Sequence, residues 1–106
     1  MEGKKHDEGK PRWDLLHPLS LTEYVKVMTH GAKKYADDNW RTVPNARRRY
    51  FAASMRHMIA WWSGEQYDQQ TGCHHLAHAI CDVAILMEPE LEAARAKEVP
   101  RAARKI

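Results

Sequence analysis

The chain has 106 residues, a length for one domain with a modest core. Hydrophobic residues make up 43% of it, which excludes wholesale disorder, and the net charge is +3. It contains no apolar run of the about 18 residues that a spanning helix needs.

Residues 1–19 are polar, and Pro11 and Pro18 speak against a long helix there. They read as an extended arm. The opening Met1-Glu2-Gly3-Lys4-Lys5-His6-Asp7-Glu8 is charged and lacks the apolar stretch of a signal peptide, so a cytoplasmic protein is expected. Ser20-Leu21-Thr22-Glu23 has the form of a capping box. Leu21, Tyr24, Val25, Met28, Ala32 and Tyr35 follow at helical spacing, which predicts a first helix over about 21–36. Ala36 to Pro44 reads as a loop.

Asn45 is a plausible N-cap for a second helix over about 46–63, and Gly64 is a natural C′ residue. Its apolar stripe is Phe51, Met55, Met58, Ile59 and Trp62. After a loop from Glu65 to Gly72, a third helix is expected over about 73–88. Leu76, Ile80, Val83, Ala84 and Met87 should point inward, and Pro89 should end the helix. Residues 90–106 read as a peripheral helix or basic tail. No β-branched alternation occurs, so the expected fold is all-α: one helical domain over 1–106, a bundle of three main helices. Cys73 and Cys81 follow no zinc spacing and read as reduced, with Cys81 packed as a small apolar residue.

The charge is unevenly spread. Leu21–Ala60 holds eight cations and three acids, whereas Trp61–Glu90 holds five acids, three histidines and no Lys or Arg. A cation-free stretch of carboxylates and imidazoles suits a bound metal ion; the cation-rich stretch suits phosphate. At about 100° per residue, His75, His78 and Asp82 share a sector of the third helix about 60° wide. If the second and third helices pair antiparallel, His57 faces the helix near Asp82, while Glu65 and Asp68 approach His75. These donors suit a labile divalent ion, Mg²⁺ or Mn²⁺, with Co²⁺ or Zn²⁺ also compatible. The expected ligands are Glu65, Asp68, His75, His78 and Asp82. Glu65 or Asp82 would serve as general base, and His57 or His75 would shuttle a proton. Lys33, Lys34, Arg41 and Arg56 are candidates for polyphosphate contact, with Arg47-Arg48-Arg49 weaker. Trp13, Tyr35 and Trp40 could stack on a base. For each of these residues a solvated face or ordinary packing is the plainer alternative.

The ordered set of motifs resembles the phage-type dATP/dGTP diphosphohydrolase family, itself distantly similar to MazG-like all-α nucleotide pyrophosphohydrolases. The resemblance rests on Gly9-Lys10-Pro11-Arg12-Trp13-Asp14-Leu15-Leu16, Gly31-Ala32-Lys33-Lys34-Tyr35, Asn39-Trp40, Arg56-His57, Gly64-Glu65 with Asp68, Thr71-Gly72 and His75-Leu76-Ala77-His78. It implies a MazG-like helical, oligomeric fold, a dimer or larger. It also implies metal-dependent hydrolysis of a purine deoxynucleoside triphosphate to monophosphate and pyrophosphate. Arg56, His57, Glu65, Asp68, His75 and His78 are the residues it carries over. Lys10, Trp13, Lys33, Lys34, Tyr35, Trp40 and Arg56 would then bind substrate, in a host cytoplasm if phage-encoded. Asp82 falls where MazG-like enzymes place the acid of a helix-borne motif, but Arg56-His57 stands where they carry a Glu-rich ExxE.

Three other readings compete. An HD-type phosphohydrolase also builds its site from His and Asp, but the one His-Asp pair here, His6-Asp7, lies in the arm. A basic helical nucleic-acid binder would use Arg47-Arg48-Arg49 and the cationic tail, and the acidic Trp61–Glu90 stretch makes nucleic acid an unlikely partner. A partner-binding module would use the apolar stripes for assembly alone. No membrane association is expected.

Overall fold

The computed structural model describes residues 1–98. Three helices carry the fold: α1 (Pro18–Lys34), α2 (Ala46–Trp62) and α3 (His75–Glu98). Two short 3₁₀ turns, Trp13–Leu15 and Asn39–Thr42, lie in the lead-in and in the α1–α2 connection. Among the described residues there is no sheet; Tyr67 and His74 form a single isolated antiparallel bridge. The all-α bundle expected from the sequence is the fold observed. No described helix is long and apolar enough to cross a membrane.

α1 begins earlier than the spacing predicted and ends at Lys34. Pro18 occupies the first turn, where its missing N–H is no loss and its fixed φ suits the helix. The expected capping box does not form. His17 is the N-cap without a side-chain bond, Thr22 Oγ1 donates to the Pro18 carbonyl, and Glu23 pairs with Lys26 at 3.1 Å.

α2 matches its expected span within a residue. Asn45 sits at its N-cap in the left-handed region, with no side-chain cap bond. Gly64, at φ +106°, turns the chain out of the helix as its N–H reaches the Trp61 carbonyl.

α3 departs most from expectation. It runs through Pro89 to Glu98 instead of stopping near residue 88. A proline in a helix interior costs about 3 kcal/mol. Good helix formers in Leu91–Glu98 offset that cost, and Arg41 anchors the added turns through Glu92 at 3.0 Å. Arg41, one of the candidate phosphate contacts, is thus engaged with Glu92 in this structure. Residues 90–98 are therefore helix, and the basic residues from 99 onward lie outside the described residues.

The covered face of α3 is not the one its large apolar residues predicted. Its buried residues are His75, Ala77, Ala79, Cys81 and Asp82. Ile80, Val83 and Met87 are exposed, as are Phe51, Met55, Met58, Ile59 and Trp62 on α2. Small side chains let the helix axes approach closely, so the bundle closes around Ala77, Ala79, Cys81 and Ser54 and turns both apolar stripes outward. Cys81 is packed as expected, its thiol pointing to the Tyr24 carbonyl of α1 at 3.4 Å.

Candidate metal and nucleotide site

The site forms where α2 ends and α3 begins. The intervening loop doubles back: the Asp68 N–H donates to the Cys73 carbonyl at 2.8 Å, and the His75 N–H to the Gln66 carbonyl at 3.0 Å. This hairpin brings Asp68 and Thr71 over the first turn of α3. The helices run antiparallel, so His57 meets His75 and His78, not the end near Asp82 that the sequence suggested.

His57, Asp68 and His75 each offer one ligand atom, and these atoms lie within 4.8 Å of one another. His57 Nδ1 is 2.9 Å from His75 Nδ1, and His75 Nε2 is 2.7 Å from Glu65 Oε1. The ring of His78 stacks on His57 with centroids 4.4 Å apart. His78 Nε2 meets the Thr71 hydroxyl at 2.7 Å and lies 3.8 Å from Asp68 Oδ2.

The electrostatics favour a cation. Burial, then the neighbouring His78 and His75, pushes His57 down from 6.5 to about 4, and burial likewise lowers His78. Both imidazoles are thus neutral near pH 7, the form that ligates metals. Burial alone would raise Asp68. Its hydrogen bond from the Gln70 amide, with His78, Thr71 and His57 nearby, instead holds the carboxyl below its usual value. A neutral His57 imidazole, the His75 ring and one anionic carboxylate form a donor set that fits a divalent ion.

The expected ligands therefore divide. Asp68 and His75 stand in the cluster, and His57, expected as a proton carrier, joins them. Glu65 and His78 border it as hydrogen-bonding and stacking neighbours. Asp82 lies farther along α3, outside the cluster, 9% exposed, and its Oδ2 has no hydrogen-bond partner.

Two adjoining cavities lie along the bundle, and the smaller reaches Thr71 and His78 beside this centre. One, of about 260 Å³, lies between α1 and α3 and is walled by Tyr35, Trp40, Thr71, His78 and Asp82, with Lys34 at its edge. The other, of about 620 Å³, is lined by Arg48, Arg49 and Arg56 and shares Tyr35, Asn39 and Tyr50 with the first. Of the expected substrate contacts, Lys34, Tyr35 and Trp40 line the smaller cavity, and Tyr35 and Arg56 line the larger one. Lys10, Trp13 and Lys33 line neither cavity. Tyr50, Asn39 and the Thr71 hydroxyl were missed as site residues. Thr71 carried a signal, its place in the Thr71-Gly72 pair, but Tyr50 carried none.

The family model described as dATP/dGTP diphosphohydrolase, N-terminal, matches residues 1–99. The chain belongs to this family. A curated relative from Salmonella phage PMBT28, named dATP/dGTP diphosphohydrolase, is 34% identical over 79 residues, 74% of this chain. The matched stretch is 27% of that relative, so the chain spans about a quarter of its length. No solved structure matches. The match takes in both cavities and the whole His/Asp cluster, so the site lies within the family's N-terminal region.

Proposed function

We propose that this chain binds dATP and dGTP and, with a divalent metal such as Mg²⁺ or Mn²⁺, hydrolyses them to monophosphate and pyrophosphate. The carrying observation is the convergence of His57, Asp68 and His75, with His78 beside them lining a cavity that shares wall residues with one lined by three arginines. The family and the name of the phage relative support the same reading.

His57, Asp68 and His75 would hold the ion, which would neutralise phosphate charge and ease attack at phosphorus. Arg48, Arg49 and Arg56, which line the larger cavity, would bind and orient phosphate oxygens. Glu65, whose Oε1 accepts from His75, is half-exposed at the rim and is the carboxylate best placed to take a proton from the attacking water. Thr71 and Asp68 keep His78 oriented against the His57 ring.

The working form would be at least a dimer in the cytoplasm. The outward stripes of α2 and α3 leave Phe51 59% and Trp62 81% exposed, and a second copy of the chain would cover them. The test is incubation with a panel of ribo- and deoxynucleoside triphosphates plus Mg²⁺ or Mn²⁺, with pyrophosphate and orthophosphate assayed separately. Metal-dependent pyrophosphate release from dATP and dGTP is expected. Orthophosphate alone, or no purine preference, would reject the reading.

A further inference from the structure

Asp82 is a charge-bearing side chain buried by the fold and left with an orphaned oxygen. A buried carboxyl oxygen with no partner is costly to the fold, which marks the place for a ligand. Its surroundings narrow the choice. The cavity it lines, about 260 Å³, is below the ~300–1,000 Å³ of drug-sized sites and suits one planar ring system. Tyr35, Trp40 and Tyr50 contribute aromatic rings to the wall, and Met28 and Ile85 contribute apolar surface. A phosphate would be repelled by the carboxyl and has the arginine-lined cavity next door.

We propose that this cavity is the base subsite and that the Asp82 carboxyl pairs with the Watson–Crick edge of a purine. The proposal rests on the triphosphatase reading above and adds which atoms select the base. A carboxylate accepts two parallel hydrogen bonds, which guanine supplies from N1–H and its 2-amino group. A carboxylic acid donates one and accepts one, which matches adenine N1 and its 6-amino group. One side chain therefore serves both bases if both protonation states are accessible. Burial, opposed only by Arg56, pushes Asp82 up to about 7, so both are present near neutrality. The other titratable or charged groups around the cavity are Tyr50 on α2, His30 and Lys34 on α1, Tyr35 and Asp38 beyond it, and His78 and Cys81 on α3.

The test measures binding of dAMP, dGMP, dCMP and dTMP to the full chain by calorimetry, without turnover. In wild type, preference should move from dGMP toward dAMP as pH falls from 8 to 6, and both pyrimidine nucleotides should bind more weakly. Asp82→Asn fixes one donor and one acceptor. It should shift the dAMP/dGMP affinity ratio about 10–100-fold toward dAMP at pH 8 and flatten its pH dependence. A thermal melt checks that the variant is folded, and the wild-type pH series stands if it is not. Equal weakening of dAMP and dGMP in Asp82→Asn, a pH-independent ratio in wild type, or equal pyrimidine binding would overturn the proposal. Failure of the triphosphatase reading would show separately, as base-selective binding without pyrophosphate release.

Discussion

His75 is held at both ring nitrogens: its Nδ1 lies 2.9 Å from His57 Nδ1 and its Nε2 lies 2.7 Å from Glu65 Oε1. A carboxylate only accepts, so a neutral His75 bonded to it carries its proton on Nε2. In the metal-free chain His75 Nδ1 is then the acceptor and His57 Nδ1–H the donor, and an ion held by both rings would take the place of that shared proton. Glu65 thus sets the proton arrangement of both imidazoles from the rim.

Glu65→Gln tests this directly. The amide can donate to His75 Nε2, which would move the proton to Nδ1 and turn the histidine pair against itself. Mn²⁺ affinity should fall about 10–100-fold while helical content stays unchanged. An unaltered Mn²⁺ isotherm would show that Glu65 does not orient the pair.

Asp68 gives a sharper loss. Its Oδ1 accepts the Gln70 N–H at 2.7 Å, a bond that an asparagine oxygen can retain. Asp68→Asn should therefore keep the loop and remove the anionic ligand. Mn²⁺ affinity should drop more than in Glu65→Gln, and pyrophosphate release should fall with it, with little change in melting temperature. Wild-type Mn²⁺ affinity in this variant would place the ion elsewhere.

Much of this was legible in the sequence where a local rule governs. Gly64 ends α2 as its position suggests, and helical spacing put His75, His78 and Asp82 on one face. Pro18 and Pro89 misled because proline is tolerated in a first turn and can be outweighed by the helix formers around it. Periodicity also separates two faces of a helix without saying which is covered. Ala77, Ala79 and Cys81 decided that through close approach, which left Ile80, Val83 and Met87 outside. The meeting of His57 with His75 depends on hairpin register, set by backbone bonds at Gln66, Asp68 and Cys73 that residue types do not reveal.

The outward stripes carry their own prediction. Light scattering at micromolar concentration should return a dimer or larger, and Phe51→Lys should shift it toward monomer with α2 still helical. A monomeric wild-type chain would leave the stripes to some other partner.

Asp82 and His57 should oppose each other in the dependence of stability on pH. Burial raises Asp82 from 3.8 to about 7, so the folded state binds the extra proton between those values. Its contribution is fully present below pH 3.8 and is lost as pH rises toward 7, by roughly 4 kcal/mol at most. His57 is lowered from 6.5 to about 4, so its contribution is present above pH 6.5 and is lost as pH falls toward 4. Across the shared window the two slopes have opposite signs, and the wild-type profile should be flattened. Asp82→Asn removes the first slope, because the amide resembles the protonated acid in shape and carries no charge to bury. In metal-free protein the variant should melt higher than wild type at pH 8, and the gap should shrink toward pH 4. What remains in the variant is the slope of His57 and His78, both held below 6.5, which gives a steady fall in melting temperature toward acid. Thermal melts of both proteins from pH 4 to 8 give the comparison. A variant that melts lower than wild type at pH 8 would mean that the Asp82 carboxylate is paired in the folded chain, against the orphaned oxygen seen here.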